Sequence, residues 1–469
     1  MRIVIDLQTC QSSSRFRGIG RNSLALATEM IPLLEAQGHE VTIFLHSGFP
    51  DETVAVRQAL AGVGKQIKFA EFCVPTPCTA GNPENTWRQH AAELLREYAL
   101  VSLEPDYVHM SQLMADGWGD DSIASIGELG VHIPTALTQH DLIPLVLQDI
   151  YLPPGDYRDY YLHKLAGLKR ADLLLAVSNY SREEVIEQMG VNPDTVISIS
   201  SAVGDGFRQL SSSRTYEQSL VTLQKFGLQP GYLLYVPGGF DARKNIECLF
   251  QAVNSLPVEI RKDHPLVIAS KLYPGQRDGL VWQAQNAGLA EADVVLTDFV
   301  SDEELVDLYR LCHLYVFPSF HEGFGLPVLE AMVCGAPVIA ADCTGVTEAV
   351  GMPEALFAPY SFESIASSMF KGITDDAFRQ RLKSHAAVHP DTFSWKQSAL
   401  TTVNAIEASH RRLVSQGWKK VLRHELPDCD ELLNRLAASD CPVQPSEDDL
   451  QQFRSCYEAN QALGKVMAP

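Results

Sequence analysis

The chain has 469 residues, of which 46% are hydrophobic and 20% are charged, an ordinary globular composition. Disordered and fibrous proteins are therefore excluded, and the length allows two or three domains. The 37 basic and 58 acidic side chains give a formal net charge of −21. Because such a surface repels phosphate backbones and anionic headgroups, the composition argues against nucleic-acid binding and against direct anchoring to a membrane by basic residues.

Cysteine usage and hydrophobic runs indicate the compartment. The ten cysteines are dispersed with no C-x2-C pair, which predicts neither a disulfide framework nor a zinc site. No apolar run in the sequence approaches the roughly 18 residues that a membrane span needs. We therefore expect a cytoplasmic protein that reaches the inner face of a membrane only through a partner.

Short apolar strands alternate with helices over residues 1–205. The run RIVID at 2–6 predicts the first strand, and a polar loop (SSSRFRGIGRNS) and a helical stretch (ALATEMIPLLEAQG) follow it. The same order recurs as far as the strand ISISSAV at 197–203. Strands that alternate with helices predict a parallel, doubly wound sheet, so we expect an α/β, Rossmann-like domain here.

The order of strands and helices starts again near residue 231. GYLLYVPGG at 231–239 predicts a strand and a turn, and an amphipathic helix follows. The further predicted strands lie at 265–270, 293–299, 314–319 and 337–342. We expect a second doubly wound domain over 228–392, joined to the first by a polar linker at 204–230.

The C-terminal part differs in character. Residues 393–414 predict a closing helix, and residues 415–469 form an acidic helical tail in which we expect two short helices. Asp428 and Asp430 have a spacing that can hold a divalent metal on a sugar nucleotide, but a solvated acidic turn suits this polar tail better. The tail is also where we expect a membrane-associated partner protein to dock.

The most specific segment is PSFHEGFGLPVLEAMVCGAPVIAAD at 318–342. Glu322 lies in a glycine-rich loop directly after a predicted strand, and Glu330 follows eight positions later on a helix that Pro327 can open. Loop glycines let backbone N–H groups approach a ligand, and a helix N-terminus favours an anion or a sugar oxygen. Two carboxylates on either side of this turn can hold two hydroxyl groups of one ligand.

The run from Glu322 to Glu330, EGFGLPVLE, resembles the E-x7-E motif of retaining glycosyltransferase family 4. The resemblance implies the GT-B fold, in which two Rossmann-like domains face a cleft. In that family the first glutamate contacts hydroxyls of the transferred sugar and the second contacts the ribose of the nucleotide, roles that here pass to Glu322 and Glu330. The loop residues that the resemblance adds to donor binding are Gly323, Phe324, Gly325 and Leu326.

A second motif, PGGFDARKN at 237–245, again follows a predicted strand and precedes a helix. Its adjacent cations, Arg243 and Lys244, can neutralise a diphosphate leaving group. The motif resembles the donor-phosphate loop of the same family, which implies that both cations bind the pyrophosphate. Many members carry an arginine where this chain has Gly239, so the donor loop departs from the family pattern there.

A third motif, TQHDLIP at 138–144, lies at the C-terminal end of a predicted strand, where open α/β sheets bind ligands. His140 and Asp141 can act as a general base and its orienting carboxylate, or the imidazole can donate a hydrogen bond to a sugar. The family commonly shows a similar H-D-x-I-P sequence, which implies that both residues face the interdomain cleft near the anomeric carbon and the acceptor.

Two weaker signals complete the predicted donor site. Gly18 and Gly20 lie in the loop after the first strand, and the run RGIGR resembles the N-terminal loop of bacterial polysaccharide (O-antigen type) mannosyl- and rhamnosyltransferases. The third glycine of a dinucleotide fingerprint is missing, so this loop does not predict a dinucleotide site. Val300, at the end of the predicted strand 293–299, is expected near the nucleotide base.

The family resemblance of these motifs implies a retaining transferase that moves a hexose to a hydroxyl of an oligosaccharide or lipid-linked glycan. By resemblance to the polysaccharide mannosyltransferases, the first expectation for the donor is GDP-mannose. The α-linked product would belong to a bacterial surface polysaccharide. No metal is expected, because Arg243 and Lys244 can take up the leaving charge. dTDP-rhamnose or a UDP-hexose stays open as donor, and so do a phosphorylase or epimerase activity and a catalytically idle, scaffolding module of a larger complex.

Overall fold

The chain forms two compact units, each with one parallel sheet. The residues that the computed structural model describes are 1–114, 116–439 and 441–466. The first unit comprises Met1–Val177, Arg182–Ile199 and the chain from Lys396 onward. The second unit comprises Ser178–Ser181 and Ser200–Trp395.

The first unit is built on seven strands. They are β1 (Arg2–Asp6), β2 (Glu40–His46), β3 (Lys68–Phe72), β4 (Tyr107–Met110), β5 (Thr135–Gln139), β6 (Leu173–Ala176) and β7 (Val196–Ser198). They form a parallel sheet in the order β3-β2-β1-β4-β5-β6-β7. Every residue of β4 and β6 is buried, and since neighbouring side chains point to opposite faces, both faces of the sheet are covered.

The second unit is built on six strands. They are β8 (Leu233–Tyr235), β9 (Leu266–Ile268), β10 (Val294–Leu296), β11 (Leu314–Phe317), β12 (Val338–Ala341) and β13 (Leu356–Phe357). They form a parallel sheet in the order β10-β9-β8-β11-β12-β13. The strand order reverses between β8 and β11, and such a reversal opens a crevice where α/β sheets bind ligands.

Helices connect the strands in both units. The helices of the N-terminal part are α1 (Gly18–Ala36), α2 (Pro50–Ala59), α3 (Thr86–Ser102), α4 (Ile143–Val146), α5 (Gln148–Tyr151), α6 (Asp156–Leu168) and α7 (Asn179–Met189). The helices between residues 200 and 390 are α8 (Asp205–Ser213), α9 (Tyr216–Lys225), α10 (Ile246–Asn254), α11 (Val258–Asp263), α12 (Gln276–Asn286), α13 (Asp302–Leu311), α14 (Leu326–Val333), α15 (Thr344–Val350), α16 (Phe362–Thr374) and α17 (Asp376–Ala386). The C-terminal helices are α18 (Trp395–Ser415), α19 (Cys429–Ala437) and α20 (Glu447–Val466). No helix in the described part of the chain combines the length and apolarity that crossing a membrane requires.

The predicted doubly wound α/β architecture is confirmed, and apolar β-branched runs mark most strands. The sequence does not predict the two edge strands β3 and β13. β3 (KFAEF) includes Lys68 and Glu71, and β13 is only two residues long, so neither presents a continuous apolar run. Edge strands commonly carry charge in this way, because it discourages pairing with another chain.

The stretch predicted as a polar linker, 204–230, instead holds helices α8 and α9. Both pack on α13 around the fully buried carboxylate of Asp307. Ser219 Oγ and Thr222 Oγ1 donate hydrogen bonds to it at 2.7 and 2.5 Å, and the Arg214 guanidinium pairs with it. Polar residues therefore form a buried network here, which a composition typical of linkers does not reveal.

The C-terminal tail is part of the core of the first unit. Phe453 and Tyr457 of α20 are buried, and their rings lie 6.1 Å from Trp87 and 4.7 Å from Tyr98 of α3. Asn460 Nδ2 donates a hydrogen bond to the carbonyl of Cys73, just beyond the edge strand β3, and Asn460 Oδ1 accepts the N–H of the same residue. The apolar side of the tail is thus occupied within the first unit, and α20, with 20 residues, is longer than expected.

The aspartate pair of the tail has protein partners. Asp428 is the N-cap of α19, and its Oδ1 accepts the N–H of Glu431 at 2.9 Å. Asp430 pairs with Arg454 at 3.0 Å. Asp428 therefore has the structural role of starting a helix.

Candidate active site

The strongest candidate site lies where the strand order of the second unit reverses. β8 leads into the 3-10 turn Ala242–Lys244, and β11 leads into the loop that carries Glu322. Because β8 and β11 are parallel neighbours, their C-terminal ends meet at one edge of the sheet. The two motifs therefore come together, and Lys244 contacts Glu322, which lies 78 residues later in the chain.

One carboxylate joins the two predicted cations. Glu322 Oε2 lies 2.6 Å from Arg243 Nη1, and Glu322 Oε1 lies 2.6 Å from Lys244 Nζ. The three side chains are largely buried, with 14%, 17% and 7% of Glu322, Arg243 and Lys244 exposed. Charge-assisted hydrogen bonds of this length and burial fix the carboxylate in one orientation.

The ion pairs set the ionisation of the cluster. Burial by itself would raise the pKa of Glu322, but the charges and hydrogen bonds of Lys244 and Arg243 outweigh it and lower that pKa to about 2. Burial lowers the pKa of Lys244, and the Glu322 charge opposes that shift. Glu322 is therefore a carboxylate at any physiological pH, able to accept hydrogen bonds and not to donate them.

Hydrogen bonds to backbone carbonyls hold the two loops against each other. Phe320 N donates to Arg243 O at 2.9 Å, and Arg243 Nη1 donates to His321 O at 3.0 Å. Asn245, with φ of 60°, donates from Nδ2 to the carbonyls of Pro318 and Pro359 at 3.0 and 2.7 Å. Asparagine tolerates this left-handed conformation, so Asn245 ends the cation-bearing turn and ties it to the Glu322 loop.

The remaining predicted donor residues of the second unit line the same edge. Gly325, with φ of 108°, is the N-cap of α14, whose first turn contains Pro327 as predicted. Glu330 lies on α14 and is half-buried. Gly323 and the buried Phe324 lie in the loop before α14, and Leu326 is the first residue of that helix. Val300 lies in the loop after β10, and Gly239 lies in the turn after β8.

The departure at Gly239 has a backbone counterpart. Gly239 has φ of 153° and follows Gly238, which has φ of 67°. An L side chain rarely adopts either conformation, so an arginine at position 239 would be strained in this turn. Arg243 Nε also lies 3.1 Å from Asp241, which holds this cation in place from the other side.

In the first unit, His140 and Asp141 follow β5. His140 Nε2 lies 3.1 Å from the carbonyl of Ser111, which can only accept a hydrogen bond, so the Nε2 atom carries a proton. Burial lowers the pKa of His140 to about 4, so the ring is neutral at pH 7. Asp141 Oδ1 accepts the N–H of Ile143, the first residue of α4, at 3.1 Å.

Gly18 and Gly20 begin α1. A Cβ atom at Gly20 would lie 2.5 Å from both Arg15 Cα and Ser14 O, so the preceding 3-10 turn can pack here only against glycine. At Gly18, a Cβ would meet no atom of the described residues within 4 Å. Close packing therefore accounts for Gly20, while the first residue of α1, Gly18, has open space around its Cα.

A cluster of potential metal ligands lies in the first unit. The described residues contain one group of three potential ligands, Glu93, Glu128 and His163, in the first unit. Glu93 Oε1 already lies 2.6 Å from Lys164 Nζ, and Glu128 pairs with Arg170 at 2.7 Å. Cations of the protein itself therefore compensate these carboxylates.

Two sequence families match the chain. Residues 25–204 match the family described as Glycosyltransferase Family 4, and residues 224–389 match the family described as Glycosyl transferases group 1. The second match contains the Arg243, Lys244 and Glu322 cluster.

Similar proteins include two transferases of Escherichia coli. The chain is 36% identical over 400 residues to the serotype-specific mannosyltransferase WbdA, an alignment that covers 85% of this chain and 47% of that protein. It is 34% identical over 250 residues to O-antigen chain mannosyltransferase B, covering 53% of this chain and 63% of that protein. The chain thus spans about half the length of the first of these relatives.

The fold is also found among solved structures. The structure of Anabaena HepE in complex with UDP and glucose superposes with a TM-score of 0.63 at 18% identity, covering 87% of this chain and 100% of that one. At this identity the likeness concerns the fold alone. These matches identify residues 25–204 as a Glycosyltransferase Family 4 region and residues 224–389 as a Glycosyl transferases group 1 region of a chain with the GT-B fold.

Proposed function

We propose that this chain is a retaining glycosyltransferase that moves mannose from GDP-mannose to a hydroxyl of an oligosaccharide or lipid-linked glycan, forming an α-linkage in a bacterial surface polysaccharide. The proposal rests on the cluster of Glu322 with Arg243 and Lys244, which lies where the strand order of the second sheet reverses between β8 and β11. The names of the two Escherichia coli relatives support mannose as the transferred sugar.

The cations suit a diphosphate leaving group. The Arg243 guanidinium has five N–H donors and the Lys244 ammonium has three, so each can bond Glu322 and a phosphate oxygen at the same time. Positive groups aimed at the charge that develops on a leaving group stabilise the transition state. In this proposal no metal is required, because the two cations supply that positive charge.

Glu322 binds sugar hydroxyls in this proposal and does not attack the sugar. A carboxylate whose pKa is about 2 is a weak base, and both of its oxygens are already bonded to cations. The bond from the anomeric carbon to the phosphate oxygen therefore breaks while the acceptor oxygen bonds to the anomeric carbon. Both events take place on the same face of the sugar. The acceptor proton passes to the departing phosphate oxygen.

The other site residues complete the assignment. Glu330 would bind the ribose, in agreement with the family motif, and Val300, in the loop after β10, would lie near the base. His140 and Asp141 mark the acceptor side on the first unit, where the neutral imidazole carries its proton on Nε2. A partner protein at the inner membrane face would bring the chain to its lipid-linked acceptor.

A thermal-shift panel tests the donor. A ligand that binds only the folded state raises the melting temperature, so we expect GDP and GDP-mannose to raise that of the wild type. Lys244→Ala should lose the shift, while Lys262→Ala, at an exposed lysine on α11, should keep it. A higher melting temperature with dTDP or UDP conjugates, and not with GDP-mannose, would assign one of those sugar nucleotides as the donor.

The same panel separates the other functions. No shift with any nucleotide, together with folded protein, would contradict the proposal and favour a scaffolding module. Binding of GDP-mannose followed by release of free sugar phosphate, or by conversion into another sugar nucleotide without acceptor, would favour a phosphorylase or an epimerase.

A further inference from the structure

Thr344 adjoins the candidate site from a third strand. It follows β12, the strand that pairs with β11 on the side away from β8, and it is the first residue of α15. The loop after β12 therefore lies beside the loop that carries Glu322. The family motifs of this chain do not include this residue.

The main chain of Glu322 is bonded at both ends by this neighbouring loop. The N–H of Glu322 donates to Thr344 Oγ1 at 3.0 Å, and the carbonyl of Glu322 accepts the N–H of Gly345 at 3.3 Å. A Cβ atom at Gly345 would lie 2.3 Å from the carbonyl oxygen of Gly323. The two loops therefore touch backbone to backbone, and the Thr344 hydroxyl supplies the side-chain contact.

Thr344 holds a conformation that its residue type disfavours. Its φ is 50°, in the left-handed region, and for a β-branched residue this is an outlier. The carbonyl of Thr344 accepts a hydrogen bond from Thr347 Oγ1 at 3.0 Å, which helps to hold the turn. Glycine or asparagine would relieve the strain at this position, but neither has a hydroxyl. Strain of this kind often persists at sites where the geometry serves function.

We propose that Thr344 is a positioning residue for glycosyl transfer. Its hydroxyl fixes the position of the Glu322 backbone. The backbone in turn sets where the Glu322 carboxylate lies between Arg243 and Lys244. The proposal rests on the proposed function, since it assumes that Glu322 binds the transferred sugar. A displacement of such a group by about 1 Å can cost roughly 100-fold in rate.

Substitutions at Thr344 separate positioning from stability. Thr344→Gly removes the hydroxyl and relieves the left-handed strain, so we expect a melting temperature within about 2 °C of the wild type or higher. The same variant should lose about 10- to 100-fold in kcat while the KM for the donor changes by less than about threefold. Thr344→Ser keeps the hydroxyl and should retain kcat within about threefold of wild type.

Two controls complete the experiment. Glu104→Gly also replaces a left-handed residue, with φ of 49°, but it lies in the first unit after α3 and should leave kcat unchanged. Glu322→Gln should abolish most of the turnover.

Three outcomes would overturn the proposal. Wild-type kcat in Thr344→Gly, with Glu322→Gln impaired, would refute the role of Thr344 and leave the proposed function intact. If Thr344→Gly and Thr344→Ser lose melting temperature and activity in parallel, the role is only structural. Wild-type turnover in Glu322→Gln would refute the proposed function, and the role of Thr344 with it.

Discussion

At the scale of single residues, the site depends on how a buried carboxylate is neutralised. Glu322 shares its two oxygens between Arg243 and Lys244, so the attraction of two cations exceeds the cost of burying the charge. Removing the side chain would leave Lys244 buried without this partner. A Glu322→Ala variant would therefore test folding as much as catalysis, and Glu322→Gln, which keeps an acceptor oxygen, is the better probe.

The depressed pKa of Glu322 predicts a pH-dependent stability. The folded pKa of about 2 lies below the ordinary value of 4.5, so the stabilisation is fully present above about pH 5 and is lost as the pH falls from 4.5 toward 2. The free-energy advantage of wild type over Glu322→Gln should therefore shrink by about 2 kcal/mol between neutral pH and pH 3, and by about 3 kcal/mol once the pH is below 2.

Urea denaturation between neutral pH and about pH 3 measures this difference. Glu259→Gln, an exposed glutamate on α11, is the matched control, and its difference from wild type should stay constant. An advantage over Glu322→Gln that is independent of pH would contradict the ion-pair geometry.

Sequence motifs predict the charged residues of the site, but they do not predict the residues whose hydrogen bonds fix the loops that carry those charges. Arg243, Lys244 and Glu322 stand in recognisable loops, and the structure brings all three together. Asn245 and Thr344 contribute through a left-handed backbone and single hydrogen bonds across loops. No spacing or periodicity in the sequence encodes those contacts, because they depend on which strands become neighbours.

At the scale of elements, the tail shows how tertiary packing decides the role of a helix. α20 is rich in polar residues, yet Phe453, Cys456, Tyr457 and Asn460 recur on one side and are buried. This spacing of three or four residues is that of an amphipathic helix. The helix covers α3 and bonds the chain just after the edge strand β3, so it belongs to the fold of the first unit.

Truncation of the fully buried Phe453 tests this role. Phe453→Ala removes the ring that packs near Trp87, and a core substitution of this type costs about 3–5 kcal/mol. We expect a lower melting temperature by calorimetry, with GDP binding by the second unit retained. Glu458→Ala, exposed on the same helix, should be neutral, and an equal effect of both variants would contradict the packing.

Hydrophobic patterns predict the buried strands but not the helices that pack through polar contacts. Continuous apolar runs predict strands such as β4 and β11 because parallel strands are buried on both faces. The predicted linker contains α8 and α9 because Asp307 collects hydrogen bonds from both the chain before α9 and α9 itself. A buried polar network leaves a polar sequence, which resembles a linker until the partner carboxylate is known.

At the scale of the whole molecule, charge and topology limit the function. The net charge of −21 opposes polyanionic partners, and the cations that would meet a nucleotide diphosphate are gathered in one short turn. Each unit has the strand order of a doubly wound sheet with its own reversal point. The family match of both units follows this division, with one family on each side of residues 205–223.

The proposed role of Arg243, Lys244 and Glu322 is glycosyl transfer from a nucleotide sugar. Its most direct test is the rate of mannosyl transfer from GDP-mannose to an oligomannose acceptor by wild type, Lys244→Met, Glu322→Gln and the exposed control Lys262→Met. We predict an α-linked product, unchanged rates in the control, and a loss of about 100- to 1,000-fold in both site variants. Wild-type rates in folded Lys244→Met and Glu322→Gln would contradict this role of the cluster.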